Sequence, residues 1–145
     1  MRGGRVYILG DVGYRAGVHM KAYEDERSVL VVGGRTGSFL GEYLAGGLII
    51  ALRLGCEGGD ITGYFCGNGM YAGTIYLRTG KAPVNLSDKL ILRHVDEEEK
   101  AAVLRPVVED FASTFSLDAK LCLSSDFIAI EADKSKTYSQ LYAAV

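Results

Sequence analysis

Four short apolar runs mark the first half of the chain: Val6–Leu9, Val29–Val32, Leu48–Leu52 and Thr74–Leu77, each next to a glycine cluster. They are rich in β-branched, aliphatic and aromatic residues over four or five positions, which predicts strands. No stretch between them holds ten residues with helical periodicity, so helical solenoids are excluded. The pattern changes after residue 80. Leu90–Leu92 reads as one further strand behind a turn containing Pro83 and Asn85. Asp96 then opens a helix, with Glu99 placed to complete a capping box and the acids Asp96–Glu99 forming a solvated helix start. Leu104, Val107, Val108, Phe111, Ala112 and Phe115 fall on one apolar stripe of that helix. Pro106 either kinks it or begins a second helix. Phe127–Ile130 predicts a last strand.

The polar positions between the early strands repeat. Gly10-Asp-Val-Gly13-Tyr-Arg-Ala-Gly17, Gly34-Arg-Thr-Gly37-Ser-Phe-Leu-Gly41 and Asp60-Ile-Thr-Gly63-Tyr-Phe-Cys-Gly67 share the spacing G-x-x-G-x-x-x-G, with Asp60 replacing the leading glycine of the third copy. The copies are offset by 24 and then 26 residues, and Ala45-Gly-Gly47 matches Tyr71-Ala-Gly73 at the second offset. Periods of this size belong to stacked repeats. Stacking makes columns: Ala16, Leu40 and Cys66 are expected to face a core, as are Met20, Leu44 and Met70, while Arg15, Phe39 and Phe65 form a third column.

Short strands around glycine turns predict a mostly β fold: a short right-handed parallel β-helix of about three coils over residues 1–80. Residues 81–145 form a C-terminal α/β appendage packed on it, capping the exposed end. The strand Val6–Leu9 carries no charge or proline to blunt pairing, so self-association or partner binding through this first edge is expected.

Composition narrows the chemistry. The chain has 145 residues, nearly half hydrophobic, with a formal charge of −2 and no basic block, which argues against nucleic-acid binding. Its longest apolar run is far below the ~20 residues that span a bilayer, and the N-terminus lacks a secretory apolar region, so a cytoplasmic protein is expected. Nineteen glycines make about 13% of the chain, against ~7% in an average protein, and all but one lie between Gly3 and Gly73. Cys56, Cys66 and Cys122 form no C-x-x-C pair and no cluster with histidine, which excludes a structural zinc site; Cys66 reads as core. His19 and His94 are isolated and read as surface residues. Gly67-Asn-Gly69-Met-Tyr-Ala72, with Asp88 downstream, spells a dinucleotide fingerprint, but the strand-like Gly73–Leu77 follows where a helix is required. No catalytic, cofactor-binding or metal-binding residue is assigned. A rival reading places a small-molecule site on one face at His19, Tyr43 and Tyr71.

The three glycine copies, quoted above, resemble the repeats of the glycine-motif domain at the C-terminus of the glutamate synthase large subunit. They are also similar to one of the subunits of formylmethanofuran dehydrogenase. The likeness covers residues 6–80, and Val103-Leu-Arg-Pro-Val-Val-Glu-Asp-Phe-Ala112 resembles the tail of stand-alone versions. The resemblance implies a β-helix that holds an amidotransferase domain against a flavin-containing synthase domain, in an oligomer, without cofactors of its own. The family's catalytic parts do not carry over: Arg2 stands where the amidotransferase has its nucleophilic cysteine, and the three cysteines lack iron–sulfur spacing.

Overall fold

The computed structural model describes residues 4–18, 20–21, 27–55 and 60–135. Six strands, β1 (Arg5–Ile8), β2 (Val29–Val32), β3 (Ala45–Ala51), β4 (Ala72–Leu77), β5 (Leu90–His94) and β6 (Ile128–Ala132), form one sheet in the order β1-β2-β3-β4-β6-β5. The first four run parallel in sequence order, with Arg5 opposite Val29, Val29 opposite Leu48 and Leu48 opposite Thr74. β6 is antiparallel to both β4 and β5.

The expected right-handed parallel β-helix with an appended α/β segment is therefore corrected to one open, mixed sheet. The reason lies in the glycine copies. After each strand they place Arg15, Phe39 and Phe65 at φ of 60, 60 and 57°, and Gly17, Gly41 and Gly67 at 71, 66 and 72°. Among the described residues the copies are turn, at 14–18, 38–43 and 66–69, so each repeat supplies one strand where a β-helix coil requires two or three. The copies instead form compact loops that return the chain to the next parallel strand. The C-terminal half then adds β6 and β5 to the same sheet, against the parallel direction.

The loops nevertheless stack in the repeat register. Val12 and Arg15 N–H donate to Arg35 and Ser38 carbonyls, and Gly34, Gly37 and Gly41 N–H donate back to Gly10, Gly13 and Ala16. The same scheme links the second loop to the third: Thr36, Phe39 and Tyr43 N–H donate to Ile61, Tyr64 and Asn68, and Gly63 and Gly67 N–H return to Gly37 and Leu40. Loop backbone that would otherwise be buried unpaired is thus satisfied loop to loop. The middle glycine of the motif permits this approach. A Cβ on Gly37 would lie 2.7 Å from the carbonyl carbon of Gly13, and one on Gly63 would lie 2.6 Å from the Ser38 nitrogen.

The sheet is buried on both faces, as parallel sheets are. On the loop face Leu30, Val32, Ile49, Ala51, Ile75, Leu77, Ile128 and Ile130 pack against Met20, Leu40, Leu44, Cys66 and Met70. The columns Met20/Leu44/Met70 and Leu40/Cys66 are buried, with Ala16 partly so. On the opposite face Val29, Val31, Leu48, Ile50, Tyr76 and Ala129 meet the helices through Leu104, Val108, Phe111 and Cys122.

The helical layer starts at α1 (Glu97–Glu99), where the Asp96 carboxylate accepts from Glu99 N–H at 2.8 Å. Glu99 does not complete the expected capping box; its carboxylate turns to Arg93 and Tyr76. A π-helical turn, Lys100–Leu104, leads into α2 (Arg105–Thr114), with Pro106 in the first turn of α2. Of the two outcomes expected for Pro106, the structure shows the second: the proline sits in the first turn of a new α-helix, where its missing N–H costs least, and the wider π-turn joins that helix to α1. A short α3 (Ala119–Leu123), capped by Asp118, precedes β6.

Candidate interaction surface

The sequence-derived candidates do not converge on one centre. His19 and Cys56 lie outside the described residues. His94 is exposed at the end of β5, on the outer strand of the sheet. Cys66 is fully buried beneath the third loop, and burial pushes its thiol up to about 12. Burial likewise raises the Cys122 thiol, on the helix face of the sheet. Neither is poised as a thiolate at neutral pH. Among the described residues no group of three or more His, Cys, Asp and Glu could hold a metal.

The dinucleotide-like Gly67-Asn-Gly69 has a backbone purpose instead. Gly69 adopts φ 74°, the conformation that Tyr43 adopts at 57° one copy earlier, and β4 follows where a phosphate-binding helix would have to begin. The Tyr43 ring lies where a Gly69 Cβ would project, at 2.6 Å. Gly69 and Tyr71 both line a cleft of about 280 Å³, so Tyr43 and Tyr71 flank one region of the third loop. Tyr71 also borders a larger cleft of about 470 Å³ with Thr74, Ile91 and Glu131.

The most distinctive surface was only partly visible in the sequence. The column Arg15, Phe39 and Phe65 is held at left-handed φ, with Arg15 and Phe65 exposed and Phe39 half-buried. Tyr14 packs edge-on to Phe39 with centroids 5.4 Å apart, Phe39 stacks on Phe65 at 5.2 Å, and Tyr64 tilts beside Phe65. The Arg15 guanidinium lies 5.1 Å from both the Tyr14 and Phe39 ring centres and pairs with Glu42 at 3.3 Å. Tyr14 is 63% exposed and Tyr64 57%. A left-handed non-glycine residue costs roughly 1–2 kcal/mol, and of the three equivalent ones here Arg15 and Phe65 are exposed while Phe39 is half-buried against both. Exposed aromatics with an interleaved arginine are the composition of protein-binding surfaces. The copy alignment placed Arg15, Phe39 and Phe65 in one column, but residue identity alone does not announce a positive φ.

Two polar clusters fix the edges of the sheet. Tyr7 OH donates to Asp110 at 2.6 Å and Arg5 pairs with the same carboxylate at 3.1 Å, tying β1 to α2. At the other side Arg93 bridges Glu99 and Glu131, Tyr76 OH donates to Glu99 at 2.7 Å, and Thr74 donates to Glu131. Both join strand to helix or strand to strand, so they read as fastenings of the scaffold.

A sequence model of the GXGXG motif family matches residues 1–136. The chain is also 38% identical over 138 residues to an uncharacterized protein of Methanocaldococcus jannaschii, a match covering 91% of this chain and 52% of that one. It thus spans about half the length of the relative it matches. No helix of the described residues is long and apolar enough to cross a membrane. With glycine loops stacked in the motif's own spacing and the family match running over almost the whole chain, this protein belongs to the GXGXG motif family, the family of the glutamate synthase C-terminal domain.

Proposed function

We propose that the chain is a non-catalytic assembly module of a glutamate-synthase-type enzyme, docking beside an amidotransferase and a flavin-containing synthase subunit. The observation that supports this most is the surface ladder of exposed Tyr14, Phe65 and Tyr64 around the half-buried Phe39, with Arg15, held at the cost of backbone strain. Such a surface gains most when a protein partner desolvates it. The amidotransferase and flavin-containing partners are those that the resemblance to the glutamate synthase domain implies.

The test is reconstitution. Co-expressed with amidotransferase and flavin synthase subunits from the same genome, the chain should copurify with them, and Phe39→Ala together with Phe65→Ala should weaken that association at least about tenfold while leaving the fold intact. Alone, it should show no glutaminase turnover and bind no flavin. A purified chain carrying stoichiometric flavin overturns the proposal.

The 470 Å³ cleft beside Tyr71 favours a second reading, an independent small-molecule binding module. Saturable quenching of tyrosine fluorescence by a metabolite, lost in Tyr71→Ala, would support that reading over the first.

A further inference from the structure

Among the described residues the loop stack has one uncovered side. The second loop turns the N–H groups of Gly34, Gly37 and Gly41 and the carbonyls of Arg35 and Ser38 toward the first loop. Transposed by the 24-residue repeat, the far side of the first loop presents the N–H groups of Gly10, Gly13 and Gly17 and the carbonyls of Asp11 and Tyr14. β1 continues this row. Gly4 and Ile8 carbonyls accept from Val29 and Gly33 N–H, at the start of β2 and just past its end, so the intervening Arg5 and Tyr7 turn their backbone groups outward.

An independent observation concerns the glycines themselves. A Cβ on Gly34, Gly37 or Gly63 would come within 2.0, 2.7 or 2.6 Å of the preceding loop. A Cβ on Gly10 or Gly13 would meet nothing within 4 Å among the described residues, and neither has the positive φ that favours glycine. Among the described residues, Gly10 and Gly13 therefore fill positions where a side chain would fit. Their identity makes sense if backbone lies over them as closely as the first loop lies over Gly37.

We propose that the open side of the first loop, with the outer edge of β1, is a docking face for one further strand-and-glycine-loop unit of the same pattern, carried by a partner chain. The recognition is backbone addition to an edge, extended from strand into loop. Donors at Gly10, Gly13 and Gly17 and acceptors at Asp11 and Tyr14 set the partner's register, and its loop must be shaped like the second loop of this chain. A second copy does not offer that shape head to tail. Over its third loop, Leu86 and Leu90 pack on the core, and Leu90 Cδ1 lies 3.1 Å from where a Gly67 Cβ would be. The Methanocaldococcus jannaschii relative is about twice as long as the matched region, so that chain carries further segments. The proposal rests on the assembly reading only in taking the occupant to be a protein chain.

Tandem duplication of residues 5–28 within the full chain supplies the missing unit at the repeat's own spacing. The duplicated chain should unfold at least ~3 °C higher than the native chain. Gly13→Ala should leave the native chain's midpoint within about 1 °C, yet remove the gain when placed at the new junction. Gly37→Ala in the native chain should lower the midpoint by several times that margin. A duplicated chain that fails to fold, or gains no stability, overturns the proposal. So does a Gly13→Ala cost in the native chain as large as that of Gly37→Ala, because the face would then already be covered. Light scattering settles the occupant: a native dimer dissociated by Gly13→Ala would assign the face to a second copy instead. A flavin-bearing chain would sink the assembly reading without altering any of these midpoints.

Discussion

At the scale of single residues, sequence periodicity shows where a side chain is buried better than which backbone conformation holds it. The alignment of glycine copies put Cys66 and Leu40 in a core column, and both are fully buried. The Cys66 thiol, raised to about 12 by burial, should then resist a disulfide-exchange reagent in native buffer at pH 8 and react only on unfolding. Native-state labelling of Cys66, read by mass spectrometry, would show that the third loop opens far more readily than its packing implies. The same alignment could not separate glycines set by φ from those set by proximity. Gly37 belongs to the second class: an added Cβ meets the Gly13 backbone, which cannot swing away as a side chain could. Gly37→Ala should cost about 1–3 kcal/mol in denaturant unfolding, in the range of overpacking strain.

At the scale of elements, the six strands of the described residues lie where apolar runs predicted them, because each run is at least half-buried on part of its length and little else competes for it. The helix stripe is equally legible: Leu104, Val107, Val108, Phe111 and Ala112 are all buried. What local rules missed is tertiary competition. Glu99 stands where a capping box would use it, but Arg93 on β5 offers a two-toothed guanidinium and Tyr76 a hydroxyl, and charge-assisted bonds outweigh a cap. Hydrogen bonding to Arg93 is the main cause holding the Glu99 carboxyl below its ordinary value, with burial opposing and Tyr76 assisting. A carboxylate with a lowered folded-state pKa stabilises the fold above its unfolded-state value, and that contribution disappears as pH falls through the folded-state value. Glu99→Gln should therefore lower the thermal midpoint at pH 7, and the gap from the native chain should close progressively below about pH 4. A gap that stays constant from pH 7 to pH 3 would show that the Glu99 charge contributes nothing.

At the scale of the whole molecule, the repeat correctly implied parallel strands in sequence order and loops stacked in register, but not the closure of each turn. Closure depends on whether the returning segment is extended or turned. That choice lies in the left-handed Arg15, Phe39, Tyr43 and Phe65, residue types that say nothing of positive φ by themselves. Nor does the first half of the chain reveal that β6 will enter beside β4 and fix the sheet's far side. The resulting sheet is graded. β3 is bonded on both sides and buried on both faces, β4 is flanked by β3 and β6, and β1 has one strand neighbour and a partly exposed surface. Amide exchange should follow that order, since opening near an edge exposes less apolar surface than opening the centre. Ile49, Ile50 and Ile75 should exchange slowest, through global unfolding. Within β1 a sharper contrast is expected: Val6 and Ile8 N–H face β2 and should be protected, whereas Arg5 and Tyr7 N–H face outward and should exchange orders of magnitude faster. The Tyr7–Asp110 hydrogen bond does not alter this, because it holds the side chain to α2 and does not involve the backbone N–H. Slow exchange at Arg5 and Tyr7 in the isolated chain would mean that the outer edge of β1 is already paired. Fast exchange there, becoming slow only when a partner is added, is the behaviour of an edge that assembly completes.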